Sequence, residues 1–373
     1  VSGAGWLVLA GLVGACVGSF LNVVAWRLPR GESLSRPPSR CPGCGTRIRW
    51  FDNVPVVSWV ALRARCRACR APISARYPLV EATTAALFVL VALRHGPGEA
   101  AVAASKALAV AALVAISAID WDHRIIPDRI TKPGIAVGLL LALLVPGLHD
   151  ARFLPRAEPA LSRLLESALG ALAGWFAIFA IRWVASRILR REAMGLGDAK
   201  LLAFVGAFTS PIAVVYVLLL ASLVGAVLGS VYVVVRSRSA ARVAGTATPE
   251  GGEARAFARA RVAPDRLEVG ADLPEGARAR VRMTLAADDV FEDEDVTVEA
   301  RGVVEGGGRP GFSAVRLEAV PEAVADRLAT FAAVRRYVPF GPFLALGGVA
   351  MLLYGDEVVR FVTETWPRFV RGE

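Results

Sequence analysis

Eight blocks of apolar sequence, over residues 4–26, 79–93, 101–119, 135–145, 164–189, 201–208, 212–235 and 337–354, leave this chain few choices of fold. Hydrocarbon offers no partner to a free N–H or C=O, so spanning segments must satisfy their own backbone, as helices do. Most of the blocks approach the length of about 20 residues that a helical crossing needs. The two short ones, 135–145 and 201–208, need tilt or length borrowed from their flanks. Thr209-Ser210-Pro211 divides 201–208 from 212–235, as a tight turn between two spans or as a kink in one helix. The chain has 373 residues, 55% of them hydrophobic, and a mean hydropathy of +0.51. The expectation is an all-α polytopic membrane protein of about eight transmembrane helices.

Charge sets the orientation. The net charge is +10 and arginine far outnumbers lysine. The basic residues fall at 27–76, at Arg124, Arg129 and Lys132, at Arg187, Arg190, Arg191 and Lys200, and at 236–242. These stretches follow the first, third, fifth and seventh blocks, and the turns between them are poor in cations. By the positive-inside rule the basic loops are cytoplasmic and the amino terminus is outside. The cations are thereby accounted for without nucleic acid. Residues 1–26 are too long and too poorly flanked for a cleaved signal and read as a retained first helix.

Two stretches lie outside the membrane. Residues 27–78 form a Pro- and Arg-rich loop that carries Cys41-Pro-Gly-Cys44 and Cys66-Arg-Ala-Cys69, with 21 residues between the pairs. Two such knuckles can close a tetrahedral Zn²⁺ site on Cys41, Cys44, Cys66 and Cys69, and four thiolates leave no open position, so the metal would be structural. Two free or redox-active pairs are the competing reading. Cys16, alone in an apolar run, reads as a packed core residue. The second stretch, 237–336, divides the membrane core at 79–236 from the last span at 337–356. Residues 237–255 read as an Arg/Ser/Gly/Ala-rich linker. Residues 259–270, 277–287, 296–305 and 312–320 alternate like half-buried strands, 288–295 is an acidic turn, and 321–336 is helical with Pro at its start. The expectation is a small β-rich soluble insert. Residues 357–373, with Trp366 and Phe369, read as an amphipathic interfacial tail.

Chemistry concentrates at two acids. Asp120 closes the third span, and Asp198 opens the sixth within Met194-Gly195-Leu196-Gly197-Asp198-Ala199-Lys200. Carboxylates against membrane-length apolar sequence are costly and mark functional sites by default. The two glycines relax the backbone at Asp198 and suggest a break that water can reach. Both acids fall at the same membrane face, on separate helices. If they meet, one keeps a proton and the other does not. Such a pair can activate water and polarise a peptide carbonyl, which is general acid–base hydrolysis without a covalent intermediate. In the competing assignment the acids pair with Arg124, Arg191 or Lys200 and only hold helices in register. Asp122 reads as a solvated loop charge and Asp128 as a cap of the fourth span.

With these residues in place the chain resembles the long form of the bacterial type IV prepilin leader peptidases, polytopic aspartic proteases with a Gly-x-Gly-Asp signature. The resemblance is carried by Gly18-Ser-Phe-Leu-Asn-Val-Val-Ala-Trp-Arg-Leu-Pro29, the two cysteine pairs, Phe51-Asp-Asn-Val-Pro-Val-Val-Ser-Trp59, Pro72-Ile-Ser-Ala-Arg-Tyr-Pro-Leu-Val-Glu81, residues 119–131 and 195–200, and Pro339-Phe-Gly-Pro-Phe-Leu-Ala-Leu346. It implies a bacterial inner-membrane enzyme that removes the basic leader from prepilins or pseudopilins of a type IV pilus or type II secretion machine. The cut would fall after a Gly on the cytoplasmic face. It also implies methylation of the new amino terminus with S-adenosylmethionine. The family's catalytic aspartates fall on Asp120 and Asp198, and its zinc-type cysteines on Cys41, Cys44, Cys66 and Cys69. No Gly-rich nucleotide loop locates the methyl donor, and Asn22, Arg76 and Glu81 are the candidates to line its site.

The insert is a departure, since a short link usually suffices before the Pro-Phe-Gly-Pro-Phe segment. Arg255-Ala-Phe-Ala-Arg259 resembles the first element of a PilZ-type barrel, which would make a cyclic dinucleotide or another regulator its partner. The second Asp-x-Ser-x-x-Gly element is missing, and a docking or spacer module is the preferred reading. Two other functions compete for the whole chain. One is an inactive membrane scaffold of a pilus or type II secretion machine. The other is an intramembrane protease of presenilin type, against which the intact cysteine loop argues.

Overall fold

The structure is a computed structural model that describes residues 3–149, 159–189, 194–238, 241–262, 266–285, 296–305, 313–318 and 338–365, with Val324, Leu328 and Arg368 besides. It comprises two compact units, Val1–Gly225 with Pro339–Glu373, and Ala226–Val338.

The first unit is helical. Its elements are α1 (Gly3–Arg27), a short α2 (Val57–Ala61), α3 (Arg76–Arg94), α4 (Ala100–His123), α5 (Asp128–Leu144), α6 (Pro159–Leu189), α7 (Leu196–Phe208), the first half of α8 (Pro211–Arg238) and α9 (Gly341–Arg360). Among the described residues six helices are long and apolar enough to cross a membrane: Gly3–Arg27, Arg76–Arg94, Pro97–His123, Ala160–Ile188, Pro211–Tyr232 and Gly341–Thr365. The other two apolar blocks are the shorter α5, of 17 residues, and α7, of 13.

α7 is the hub. Every residue from Leu201 to Phe208 is buried, the mark of a helix enclosed on all sides. At about 1.5 Å per residue it is roughly 20 Å long, too short to cross alone, and α4, α5, α6 and α9 surround it. Close packing is achieved with small residues. Gly170 and Gly174 of α6 lie one turn apart, and a Cβ on either would overlap α7 backbone at Gly206 and Leu202. A Cβ on Gly138 of α5 would sit 2.9 Å from Ala207, and Gly14 and Gly18 of α1 meet α3 backbone at Ala85 and Glu81 in the same way. Each pair follows the small-x-x-x-small spacing by which helices approach in lipid, where apolar burial supplies no drive. Large apolar side chains such as Leu12, Phe176 and Leu223 point outward, where the acyl chains would be.

Cys16 also faces outward on α1, which corrects its reading as a core residue. The small Gly14 and Gly18 take the packed face, so position 16 falls on the opposite one. α9 continues past the expected end of the last span. Tyr354 interrupts its dihedrals, and a π turn at Phe361–Thr365 follows.

The second unit holds a closed six-stranded antiparallel barrel in the order β1-β2-β3-β6-β5-β4. The strands are β1 (Ala241–Pro249), β2 (Arg255–Val262), β3 (Arg266–Val269), β4 (Arg278–Leu285), β5 (Val296–Glu305) and β6 (Ser313–Glu318). β4 alternates strictly, Ala279, Val281, Met283 and Leu285 inward and Arg278, Arg280 and Arg282 outward. Glu299 of β5 crosses to Arg280 at 3.0 Å and to Arg282 at 3.1 Å. Two expectations are corrected. The linker at 237–255 contains β1, and the run 259–270 is two strands rather than one. The acidic turn at 288–295, most of the helix expected at 321–336 and the tail beyond 365, apart from Arg368, lie outside the described residues, although Leu328 is buried in the barrel core.

Candidate active site and cysteine cluster

Asp120 sits in the last turn of α4 and is 5% exposed. α4 ends because Arg124 turns into the left-handed region (φ 55°) and returns its N–H to the Asp120 carbonyl at 2.9 Å. The Asp120 carboxylate lies against Gly341, the first residue of α9, and Arg124 lies within electrostatic reach. Asp198 is the third residue of α7. Its carboxylate turns back toward Gly195, the residue that caps the helix, with Oδ2 3.8 Å from where a Cβ on that glycine would be. The charges of Asp198 and Asp120 are close enough to act on one another. Two acids 78 positions apart are thus brought together by the end of α4 and the start of α7.

The two glycines before Asp198 act differently from the sequence expectation. Gly195 has ordinary extended dihedrals (φ −74°, ψ 148°). Gly197 is helical, and a Cβ there would lie 3.0 Å from Cβ of Ile126. Clearance for Ile126, not backbone freedom, demands glycine at 197. The same Ile126 side chain reaches to 3.4 Å of where a Cβ on Gly341 would be. Ile126 is therefore the spacer between the starts of α7 and α9. Neither Ile126 nor Gly341 was given a role from the sequence, although both lie in stretches that carry the resemblance.

Lys200 and Asp122 have partners elsewhere. Lys200 donates to Asp128 at 2.5 Å, and Lys132 to the same carboxylate at 2.7 Å. Asp128 is the first residue of α5 and Pro127 occupies the N-cap, which corrects its reading as the capping residue. Asp122 is not a free loop charge: it lies within α4 and pairs with Arg76, which also donates to the Ala118 carbonyl at 3.3 Å. Arg191 lies outside the described residues.

The cysteine loop is built from two matching knuckles. Cys41 N–H donates to Thr46 O at 2.9 Å and Cys66 N–H to Ala71 O at 2.8 Å. Gly45 (φ 69°) and Arg70 (φ 61°) occupy the same left-handed position after each first cysteine. The four Sγ atoms lie within 4.8 Å of one another, with Cys41 and Cys69 at 3.7 Å. A tetrahedral ion with bonds of about 2.3 Å needs sulfurs about 3.8 Å apart, so the donor set fits a metal ion. The Thr46 hydroxyl pulls Cys44 down to about 6, and the N–H groups of Cys69 and Ala68 lower Cys66. Both effects favour the thiolate that a metal needs. Arg67 and Asp52 form a fork at 2.6–3.0 Å that joins the second knuckle to the turn at Trp50–Asn53.

Asn22, Arg76 and Glu81 gather where the loop meets α1 and α3. Asn22 donates to Tyr77 O at 3.1 Å. Glu81 is buried and accepts the N–H of Val56 at 2.7 Å. Val56 has φ 61°, a conformation that a β-branched residue adopts only under constraint. The buried carboxylate supplies that constraint. Glu81→Ala is expected to release Val56 and speed amide exchange over residues 50–61 by about tenfold or more, with metal content unchanged. Exchange mass spectrometry reads the first, and elemental analysis the second.

Fold and site together define a class: a polytopic helical membrane protein with two carboxylates juxtaposed at helix ends and a separate four-cysteine cluster. Residues 12–95 match the model of the bacterial peptidase A24 N-terminal domain, and residues 107–230 that of the type IV leader peptidase family. A prepilin leader peptidase/N-methyltransferase of Myxococcus xanthus is 34% identical over 351 residues, covering 94% of this chain and 90% of the relative. That alignment runs through the insert. A type 4 prepilin-like proteins leader peptide-processing enzyme of Escherichia coli is 38% identical over 58% of this chain and 82% of its own length. A prepilin leader peptidase/N-methyltransferase of Aeromonas hydrophila is 38% identical over 63% and 84%. No solved structure matches the chain significantly. The chain belongs to the type IV leader peptidase family.

Proposed function

We propose that this protein is a membrane aspartic endopeptidase that removes the basic leader from type IV prepilins or pseudopilins. The cut falls after a Gly, on the cytoplasmic face of the bacterial inner membrane, where the basic loops place Asp120 and Asp198 by the positive-inside rule. The observation that carries this reading is the convergence of the end of α4 and the start of α7 on Ile126, which brings Asp120 and Asp198 within electrostatic reach of each other.

The pair works as a unit holding one proton. The ionised carboxylate takes a proton from water as the oxygen attacks the scissile carbonyl. The protonated one donates to the carbonyl oxygen, giving a neutral tetrahedral diol. The acid that took the water proton then gives it to the leaving nitrogen while the other carboxylate takes a proton from a diol hydroxyl, so the C–N bond breaks, the carbonyl re-forms and the pair again holds its single proton. Gly341 and Gly195 lie beside the two carboxylates and bound the space in which this exchange takes place.

Cys41, Cys44, Cys66 and Cys69 would hold a Zn²⁺ ion that braces the loop, with no open position for catalysis. Methylation of the new amino terminus is the second proposed activity, supported by the names of the relatives. S-adenosylmethionine, when bound, would supply the methyl group. Asn22, Arg76 and Glu81 cluster, but each already has a protein partner, and they define no cradle for it. The barrel reads as a docking or spacer module. Arg255 of the Arg-x-x-x-Arg element is engaged with Asp272, which gives a cyclic dinucleotide no support.

Intact-mass spectrometry of a prepilin co-expressed with this protein tests both activities. The expected product lacks its leader and carries one added methyl group. A product with the leader intact would favour the scaffold reading.

A further inference from the structure

We infer that Gly341 is a positioning residue of the peptidase: the start of α9 abuts the Asp120 carboxylate at this residue, and its lack of a side chain makes the room in which that carboxylate sits. The inference rests on the reading of Asp120 as catalytic.

Gly341 opens α9, and its N–H is among the first four that no carbonyl of the same helix can satisfy. The start of α9 lies against the Asp120 carboxylate, and the unsatisfied N–H groups of a helix start favour a negative charge there. The approach is so close that a Cβ at 341 would overlap Oδ2 of Asp120 outright. Any side chain there must turn the carboxylate or lift the start of α9. Either move takes Asp120 out of register with Asp198.

The local sequence secures this placement. Pro342 at the second helical position has no N–H of its own and presets the helical φ. Phe340 N-caps α9, and its carbonyl accepts from Phe343 at 3.0 Å and Leu344 at 3.1 Å. Gly225 of α8 lets Phe343 and Phe340 approach to 3.3 and 3.6 Å of where its Cβ would be, which seats both rings against α8. Pro339-Phe-Gly-Pro-Phe is thus the device that sets the bare start of α9 against one carboxylate.

Gly348 provides the control. It lies two turns further along α9, where a Cβ would press on Val205 at 2.9 Å and Leu113 at 3.2 Å, away from the acids. Gly341→Ala and Gly348→Ala both overpack α9, but only the first touches Asp120. The experiment is steady-state cleavage of a purified prepilin by the full-length protein in detergent, with melting temperature measured alongside. Gly341→Ala is expected to lose at least about 100-fold in kcat with KM within about threefold, the scale set by misplacing a reacting group. Gly348→Ala is expected to lower the melting temperature and keep kcat within about threefold. The inference is overturned if Gly341→Ala retains kcat, or if both variants lose kcat equally in proportion to their melting temperatures. Full cleavage by Asp120→Asn in the same series would instead remove the reading beneath it.

Discussion

Asn at position 198, or at position 120, leaves the prepilin uncut. The amide matches the carboxylate in shape, so helix packing around α7 survives. What is lost is the exchangeable proton site. General acid–base catalysis by a placed carboxyl contributes roughly 10²–10⁴-fold, and removing one member of a pair disables both roles at once. The expected loss in kcat is therefore at least about 10³-fold for either variant, at unchanged expression and melting temperature. If the acids only held helices in register, the variants would instead lose stability and keep activity. Of the cations that could hold them in that role, Lys200, the nearest in sequence to Asp198, is engaged with Asp128, while Arg124 lies within electrostatic reach of Asp120.

The double variant Cys41→Ser/Cys66→Ser empties the cysteine cluster. It removes one thiolate from each knuckle, and two remaining sulfurs cannot complete a tetrahedral site. Elemental analysis of the purified wild type is expected to give about one zinc per chain and the variant less than about a tenth of that, because metal binding and loop folding are one equilibrium. Loss of the ion leaves the knuckles with only their short hydrogen bonds and the Arg67–Asp52 fork. Faster proteolysis within residues 40–72 should follow. Unchanged zinc content would place the metal elsewhere or nowhere. Cleavage should fall far less than in the aspartate variants, since the cluster contributes no group to Asp120 or Asp198.

The apolar blocks were legible because lipid imposes its rule locally, segment by segment. The two aspartates were legible because a charge beside such a block stands out. Their approach was not readable from spacing, since α4 and α7 are joined through two other membrane helices. Gly341 was harder still. Its partner lies 221 positions away, and glycine carries no side chain to advertise a role. Gly197 misled in the other direction. It looked like a backbone hinge, and the structure uses it as clearance for Ile126. β1 was missed because Ala241–Pro249 alternates small residues, and Ala247 is the kind of inward group that composition does not flag. Closing a barrel fixes that strand through its neighbours, β2 and β4, rather than through its own hydrophobicity.

The most direct test of the paired-carboxylate account is the single-turnover cleavage rate of the double variant Asp120→Asn/Asp198→Asn beside each single variant. Two groups that share one proton act as one, so the double variant should be no more than about tenfold slower than either single. Losses that multiply, or one single variant that cuts within about tenfold of wild type, would contradict it.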